Sequence, residues 1–263
     1  MSGLNPGARR VLDDGLTQHQ GILLIRESDS AKHLLAYGLR ALRLSAFHDT
    51  TRDPVLSMLS IGVEKLLKVS LGLIHLDEHR EWPTQKTFRT VYRHDIVTME
   101  RLLRDRLRIR ATRATHPRYF DPLLASLDAD PVWRPIVEAL HRYGDQGRFY
   151  YLDALAGATP VDDSPEVYWD KVDAAARDAD PELERLFHAS IHDYALHDVF
   201  MTGLNKAAAD SLQQWWSMIA MAGKQGLMGA RGVLIGTDQE TIGRQVIDET
   251  RSARSVGGRH PLR

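Results

Sequence analysis

The sequence predicts an all-α protein, and the evidence is a recurring helix-start signal together with apolar residues at helical spacing. Proline is favoured at the first helical position, behind a capping Asp or Ser. This pair occurs at Asp53-Pro54, Asp121-Pro122, Asp130-Pro131, Ser164-Pro165 and Asp180-Pro181. No run of alternating residues is convincing, although residues 21–25 or 233–235 could form short strands. We expect helices over residues 30–48, 54–79, 94–112, 122–128, 131–143, 147–157, 165–178, 181–200 and 204–224.

The helix from Pro54 is predicted to be the buried centre of a bundle, because it is apolar nearly all round. Its apolar stretch, residues 54–76, is long enough to span a bilayer. However, Glu64, Lys65 and Lys68 lie in its middle, where charges are costly in lipid. We therefore expect no membrane span.

Three regions are expected along the chain. Residues 1–28 show weak periodicity and are predicted to be a weakly structured N-terminal segment. Residues 29–225 are predicted to form the helical domain, whose last helix carries Trp215 and Trp216. Adjacent tryptophans cannot share one core stripe, so we expect one of them to lie either in an interface or under the C-terminal tail. Residues 226–263 contain several glycines and arginines and are predicted to be a mobile tail.

The composition excludes several functional classes. Hydrophobic residues make up 43% and charged residues 26%, an ordinary globular mix with a net charge of −1. The chain has no cysteine, which excludes a disulfide scaffold, cysteine–zinc sites, iron–sulfur clusters and thiol nucleophiles. Neither a Walker A loop nor a dinucleotide-binding glycine motif is present. We expect a cytoplasmic protein without a cofactor.

Charge is uneven along the chain although the total is near zero. Lys and Arg dominate residues 86–118, and acidic residues dominate residues 145–184. One interpretation is that these segments form solvated faces of helix pairs that attract each other. The other is that Arg101, Arg104 and Arg108 form a helical surface able to contact phosphates.

An ordered set of motifs follows the central helix. Glu64 and Lys68 are spaced i,i+4 and can pair on one helix face. The next helix opens with His94 and Asp95, either of which can cap it by accepting backbone N–H bonds. The set is completed by Ile96, Tyr143, Arg148, Phe149 and a helix from Ser164. In this order the motifs resemble the HEPN superfamily of helical domains, over roughly residues 30–178.

The resemblance implies an up-and-down helical bundle with additional C-terminal helices, which pairs as a homodimer. It also implies a module that binds RNA or nucleotide phosphates, of a kind found in bacterial stress and phage-defence systems. The phosphate-binding candidates are Lys65, Lys68 and Arg93, and Arg93 stands where the family usually has glycine.

The chain lacks the catalytic motif of the family's ribonucleases at the matching position. These enzymes share an Arg that is followed four to six residues later by His. Asp153 stands at that distance from Arg148. We therefore expect a catalytically degenerate module. The alternative is a metal-independent ribonuclease with His94 and Arg148 as its catalytic residues.

Two further alternatives come from the residues themselves. A metal-dependent hydrolase could use His75 with His79, or His188 with His192, because histidines spaced i,i+4 face one side of a helix and can share a zinc ion. A helical interaction protein would instead bury one of the paired tryptophans in an oligomer.

Overall fold

The computed structural model describes residues 15–44, 48–159 and 162–240, and of residues 48–50 it describes only the backbone. Every element in these ranges is helical, which confirms the all-α prediction, and residues 21–25 and 233–235 lie in helices. In chain order the helices are α1 (Gln18–Leu44), α2 (His48–His79), α3 (Gln85–Thr87), α4 (Ile96–Arg110), α5 (Asp121–Asp128), α6 (Trp133–Asp145), α7 (Tyr150–Leu155), α8 (Pro165–Ala179), α9 (Pro181–Ser190), α10 (Tyr194–Lys224) and α11 (229–240).

The central helix of the core is α2, as predicted. It packs most extensively on α1 and also contacts α4 and α6. Its Leu59, Leu66 and Leu67 are almost fully buried, and burying one leucine side chain stabilises a fold by about 1.5–3 kcal/mol. The helix begins upstream of the predicted start and continues through Pro54, which costs it one backbone hydrogen bond. None of the described helices combines the length and apolar content that crossing a bilayer requires.

The predicted N-terminal boundary is wrong, because α1 begins at Gln18 rather than near residue 30. Thr17 and Gln20 form a reciprocal capping box. The Gln20 amide donates to the Thr17 hydroxyl at 3.2 Å, and the Thr17 amide donates to the Gln20 side-chain oxygen at 2.9 Å. Residues 18–28 are therefore helical rather than weakly structured, and residues 1–14 lie outside the described residues.

The predicted helix over residues 181–200 is divided into α9 and α10. The side chain of Asp193 accepts a hydrogen bond from the Ala195 amide at 2.9 Å. Asp193 therefore acts as the N-cap of a new helix and ends the continuity that the apolar pattern predicted.

Trp215 and Trp216 of α10 are both buried by the chain's own helices. Trp215 stacks on Trp133 of α6, with ring centroids 5.1 Å apart. The indole N–H of Trp216 donates to Gln239 of α11 at 2.8 Å. Of the two predicted positions for one of the tryptophans, the position under the C-terminal segment is confirmed for Trp216, which α11 covers, whereas α6 covers Trp215.

Helix α11 corrects the prediction of a mobile tail from residue 226 onward. Gly226 and Gly229 have φ of +78° and +74°, and this left-handed backbone favours glycine at the turn into α11. Lys32 of α1, whose side chain is 2% exposed, forms an ion pair with Asp238. The Gln239 amide also donates to α1, at 3.0–3.1 Å. Residues 241–263 lie outside the described residues.

Within the described residues, no ion pair joins the basic segment 86–118 to the acidic segment 145–184, contrary to one interpretation. Arg104 and Arg108 both form ion pairs with Asp128, at 3.0 and 2.6 Å. Arg110 is buried and pairs with Glu78 at 3.0 Å. Of the three arginines predicted to contact phosphates, Arg104 and Arg108 are therefore held by a carboxylate, whereas Arg101 is exposed.

Candidate anion-binding site

A carboxylate–imidazole pair forms at the surface of α2. Nδ1 of His94 lies 2.9 Å from Oε1 of Glu64, and the same oxygen accepts a hydrogen bond from Nζ of Lys68 at 2.6 Å. A carboxylate can only accept, so Nδ1 carries the hydrogen and Nε2 is left for a ligand. The His94 side chain is 70% exposed and that of Glu64 is 16% exposed. The predicted residues Lys68 and His94 therefore meet at Glu64.

A strained turn brings His94 to this position. The backbone closes a π-helical turn, Phe88–Tyr92, in which the Arg93 amide donates to the Phe88 carbonyl at 2.8 Å. Arg93 then has φ 47° and ψ −133°, a conformation that glycine adopts far more readily. This is the position at which the HEPN pattern carries glycine.

Asp95, one of the two predicted caps, is the N-cap of α4, and the helix begins at Ile96 rather than at residue 94. The Asp95 side chain accepts hydrogen bonds from the Thr98 amide at 2.9 Å and from its hydroxyl at 2.7 Å. Burial of the Asp95 carboxyl opposes its ionisation, but the two Thr98 donors outweigh burial and hold its pKa below the ordinary value. The cap therefore fixes the backbone directly behind His94.

Exposed cations without carboxylate partners lie on the turn. Lys86, Arg89 and Arg93 are exposed and recur at helical spacing. Within the described residues, none of their side chains forms a hydrogen bond or an ion pair. Lys65 differs, because it pairs with Glu27 of α1 at 2.7 Å. Of the predicted phosphate-binding residues, Arg93 is thus unpaired, whereas Lys65 and Lys68 are held by carboxylates.

Arg148, the other predicted catalytic residue, follows α6 in the chain. It is exposed on the short turn Gly147–Phe149, and its charge acts on Tyr143. Burial raises the pKa of Tyr143, whose hydroxyl lies 2.6 Å from that of Ser57. In the described part of the chain no hydrogen bond or ion pair joins Arg148 to His94.

A cleft of about 480 Å³ opens beside Lys68, between α1, α2 and the segment that leads into the turn. Its other lining residues are Gln20, Leu23, Leu24, Arg26, Glu27, Val69, Trp82 and Phe88. Sequence reasoning missed the aromatic pair in this cleft. The available signal was that Trp82 and Phe88 are interleaved with the basic residues of segment 82–93.

The two histidine pairs gather no further ligands. The rings of His75 and His79 lie 4.3 Å apart, and burial, followed by the charge of His79, lowers the pKa of His75. His188 lies 3.0 Å from Glu184, but His192 lies beyond the end of α9, so this pair does not share a helix face as predicted. Among the described residues, no group of three His, Asp or Glu side chains is placed to hold a metal ion.

Comparison of the chain with family models, with curated proteins and with solved structures gave no match in any of the three.

Proposed function

We propose that the protein is a cytoplasmic module that binds phosphates of RNA or nucleotides at the turn carrying Arg93 and His94. One observation carries the proposal. Lys86, Arg89 and Arg93 are exposed cations without an ion pair among the described residues, and they lie on the segment that leads into His94, whose imidazole Glu64 holds in place. An unpaired arginine suits phosphate because its guanidinium presents N–H donors in a fixed fork.

Each residue has a separate role in this proposal. Arg89 and Arg93 bind phosphate oxygens, His94 donates from Nε2 when its ring is protonated, and Lys68 balances the charge of Glu64. Arg148 forms no hydrogen bond or ion pair with His94 within the described residues, and in this proposal it meets a different phosphate of an extended strand. Asp153 stands where the family's ribonucleases carry histidine after their arginine, which favours binding over cleavage. The resemblance to HEPN domains agrees with this function, and a role in bacterial stress or phage defence rests on that resemblance alone.

Salt-dependent RNA binding tests the proposal. A labelled single-stranded RNA is titrated with the wild-type protein, Arg89→Gln, Arg93→Gly and the control Arg134→Gln. The control removes an exposed arginine on α6 that pairs with Glu138 at 2.9 Å. Each of the first two variants lowers the affinity and reduces the slope of log K against log salt by about 1, whereas the control changes neither. Equal slopes in all four proteins would refute the proposal.

The same mixtures separate binding from the ribonuclease alternative. In EDTA, a degenerate module leaves the RNA intact. Cleavage that persists in EDTA and is lost in His94→Ala would establish a metal-independent ribonuclease instead.

A homodimer formed through α7 is the second candidate function, and an exposed apolar stripe favours it. Phe149, Leu152 and Leu155 are 59%, 62% and 83% exposed and recur at helical spacing. We propose a second copy of the chain as the partner, because two-fold interfaces are self-complementary. Arg148 and Asp153, which have opposite charges, are exposed on the same segment and could pair across such an interface.

Sedimentation equilibrium of the full chain measures this association. The double variant Leu152→Glu/Leu155→Glu is expected to be monomeric. Leu234→Glu, at a 64% exposed leucine on α11, is the matched control and is expected to remain dimeric. A wild-type protein that sediments as a monomer contradicts this candidate.

A further inference from the structure

We infer that the cleft beside Lys68 is a nucleobase-binding subsite, and that its ligand is a nucleotide whose phosphate lies at Arg89 and Arg93. The inference deepens the proposed function and rests on it for the position of the phosphate. Lys68 connects the two places, because it lines the cleft and also donates to Glu64, the carboxylate that holds His94. The cleft therefore lies next to the pair of Glu64 and His94, and Phe88 of its wall is followed directly in the chain by Arg89.

The aromatic wall of the cleft suits a flat ring. Trp82 and Phe88 are each half-buried, and their rings lie 6.3 Å apart at 30°. Aromatic side chains with accessible faces are the usual stacking platforms for bases. Leu23 on the opposite wall is 47% exposed, so an apolar surface remains available on that side as well.

Trp82 is held in position before any ligand binds. Its indole lies so close to the backbone of α2 that a Cβ added at Gly72 would collide with it. A platform fixed in this way loses little side-chain entropy when a ring stacks on it.

The rim of the cleft favours a base over a purely aliphatic group. The polar groups around the apolar floor are the amide of Gln20, the guanidinium of Arg26, the carboxylate of Glu27 and the ammonium group of Lys68. A nucleobase offers donors and acceptors at its edge and two apolar faces, which matches a pocket of this composition. Arg26 has no ion-pair partner among the described residues, so it adds cationic character at the rim.

Calorimetric titration of the full chain with adenosine, 5′-AMP and ribose 5-phosphate tests the inference. Stacking of one base increases affinity by about 5- to 150-fold. The wild-type protein is therefore expected to bind 5′-AMP more tightly than ribose 5-phosphate by a factor in this range. Trp82→Leu is expected to bring the ratio of the 5′-AMP affinity to the ribose 5-phosphate affinity close to one. The affinity for ribose 5-phosphate itself is expected to stay unchanged.

A second variant tests the subsite even if Trp82→Leu fails to fold. Leu23→Gln changes an exposed residue of the cleft wall and is expected to lower the ratio. Ile22→Gln is its matched control, because Ile22 is the neighbouring residue, is 46% exposed and does not line the cleft. The control is expected to keep the wild-type ratio.

The outcomes separate the subsite from the proposed function. Equal wild-type affinities for 5′-AMP and ribose 5-phosphate would overturn the subsite and leave the phosphate site intact. An unchanged ratio in both Trp82→Leu and Leu23→Gln would also overturn it. Adenosine binding that depends on Trp82, with no effect of Arg93→Gly on 5′-AMP, would support the subsite and refute the phosphate site. No binding of any of the three compounds would overturn both.

Discussion

Asp173 of α8 provides a test of the helix packing, because its carboxyl is buried and the nearby arginines do not offset the cost of burying its charge. The side chain is 20% exposed, and its nearest cation, Arg52 of α2, lies 3.8 Å away. Burial raises the pKa of Asp173 from 3.8 to about 7, with Asp170 adding to the rise and Arg52 opposing it. This carboxyl should therefore couple the stability of the α2–α8 contact to pH.

The raised pKa fixes the sign of the dependence. Between pH 3.8 and about pH 7 the folded protein keeps a proton on Asp173 that the unfolded chain has released. The free energy of unfolding therefore falls as the pH rises through this window. One pKa unit corresponds to about 1.36 kcal/mol, so the full shift corresponds to a loss of up to about 4 kcal/mol.

The substitution Asp173→Asn removes the titration and keeps the size of the side chain. Arg52 then retains Asp170 as a partner, at 3.6 Å. Urea unfolding at pH 5 and pH 8 is the assay, with the m-value as a check that the unfolding transition is unchanged. Relative to the wild-type protein, the variant is expected to gain about 1–3 kcal/mol between pH 5 and pH 8, because only about two of the three pH units lie below the folded pKa.

The control for this prediction is Asp170→Asn, on the same helix and beside the same arginine. The Asp170 side chain is 67% exposed, and burial contributes more than Asp170 to the raised pKa of Asp173, so Asp170→Asn is expected to keep most of the pH dependence. If Asp173→Asn differs from the wild-type protein by the same amount at both pH values, the argument from burial is wrong.

Three further predictions concern strain, the attachment of α11 and the cleft wall. Arg93→Gly relieves a positive φ and is expected to stabilise the fold by up to about 2 kcal/mol in thermal unfolding; no rise in Tm relative to Arg93→Ala would contradict the strain. Lys32→Met removes the buried partner of Asp238. It is expected to lower the free energy of unfolding by about 2 kcal/mol and to speed hydrogen exchange in residues 229–240. Unchanged exchange in these residues would show that the ion pair of Lys32 does not attach α11. Gly72→Ala is expected to cost about 1–3 kcal/mol and to shift the Trp82 fluorescence to longer wavelength; wild-type stability would mean that the indole does not rest on α2.

Local signals account for most of what could be predicted about the fold. Asp95 caps α4, and the i,i+4 pair of Glu64 and Lys68 forms, because both interactions depend only on residues within a few positions. The errors at helix ends were also local. The capping box of Thr17 and the cap at Asp193 were present in the sequence, but weak apolar periodicity obscured the first and strong periodicity obscured the second.

The charged residues were harder to interpret from the sequence, because pairing depends on which helices become neighbours. The arginines of α4 are spaced as a phosphate-binding face would be, yet Asp128 of α5 neutralises Arg104 and Arg108. The cations of the turn before α4 form no ion pair among the described residues, although the charge of Arg93 acts on the Asp95 carboxyl. Only the packed structure distinguishes the two groups, because Coulomb attraction falls off with distance in space rather than along the chain.

The sequence by itself determined that the chain is helical, that α2 is its central helix and that residues 86–118 are rich in cations. Only the tertiary structure decided which of these cations are paired, that His94 meets Glu64 across 30 residues of chain, and that Trp82 and Phe88 line a cleft at Lys68. Helix formation and capping are set by residues a few positions apart. These three features depend instead on how α1, α2 and the turn pack together, and that packing is set by the whole core at once.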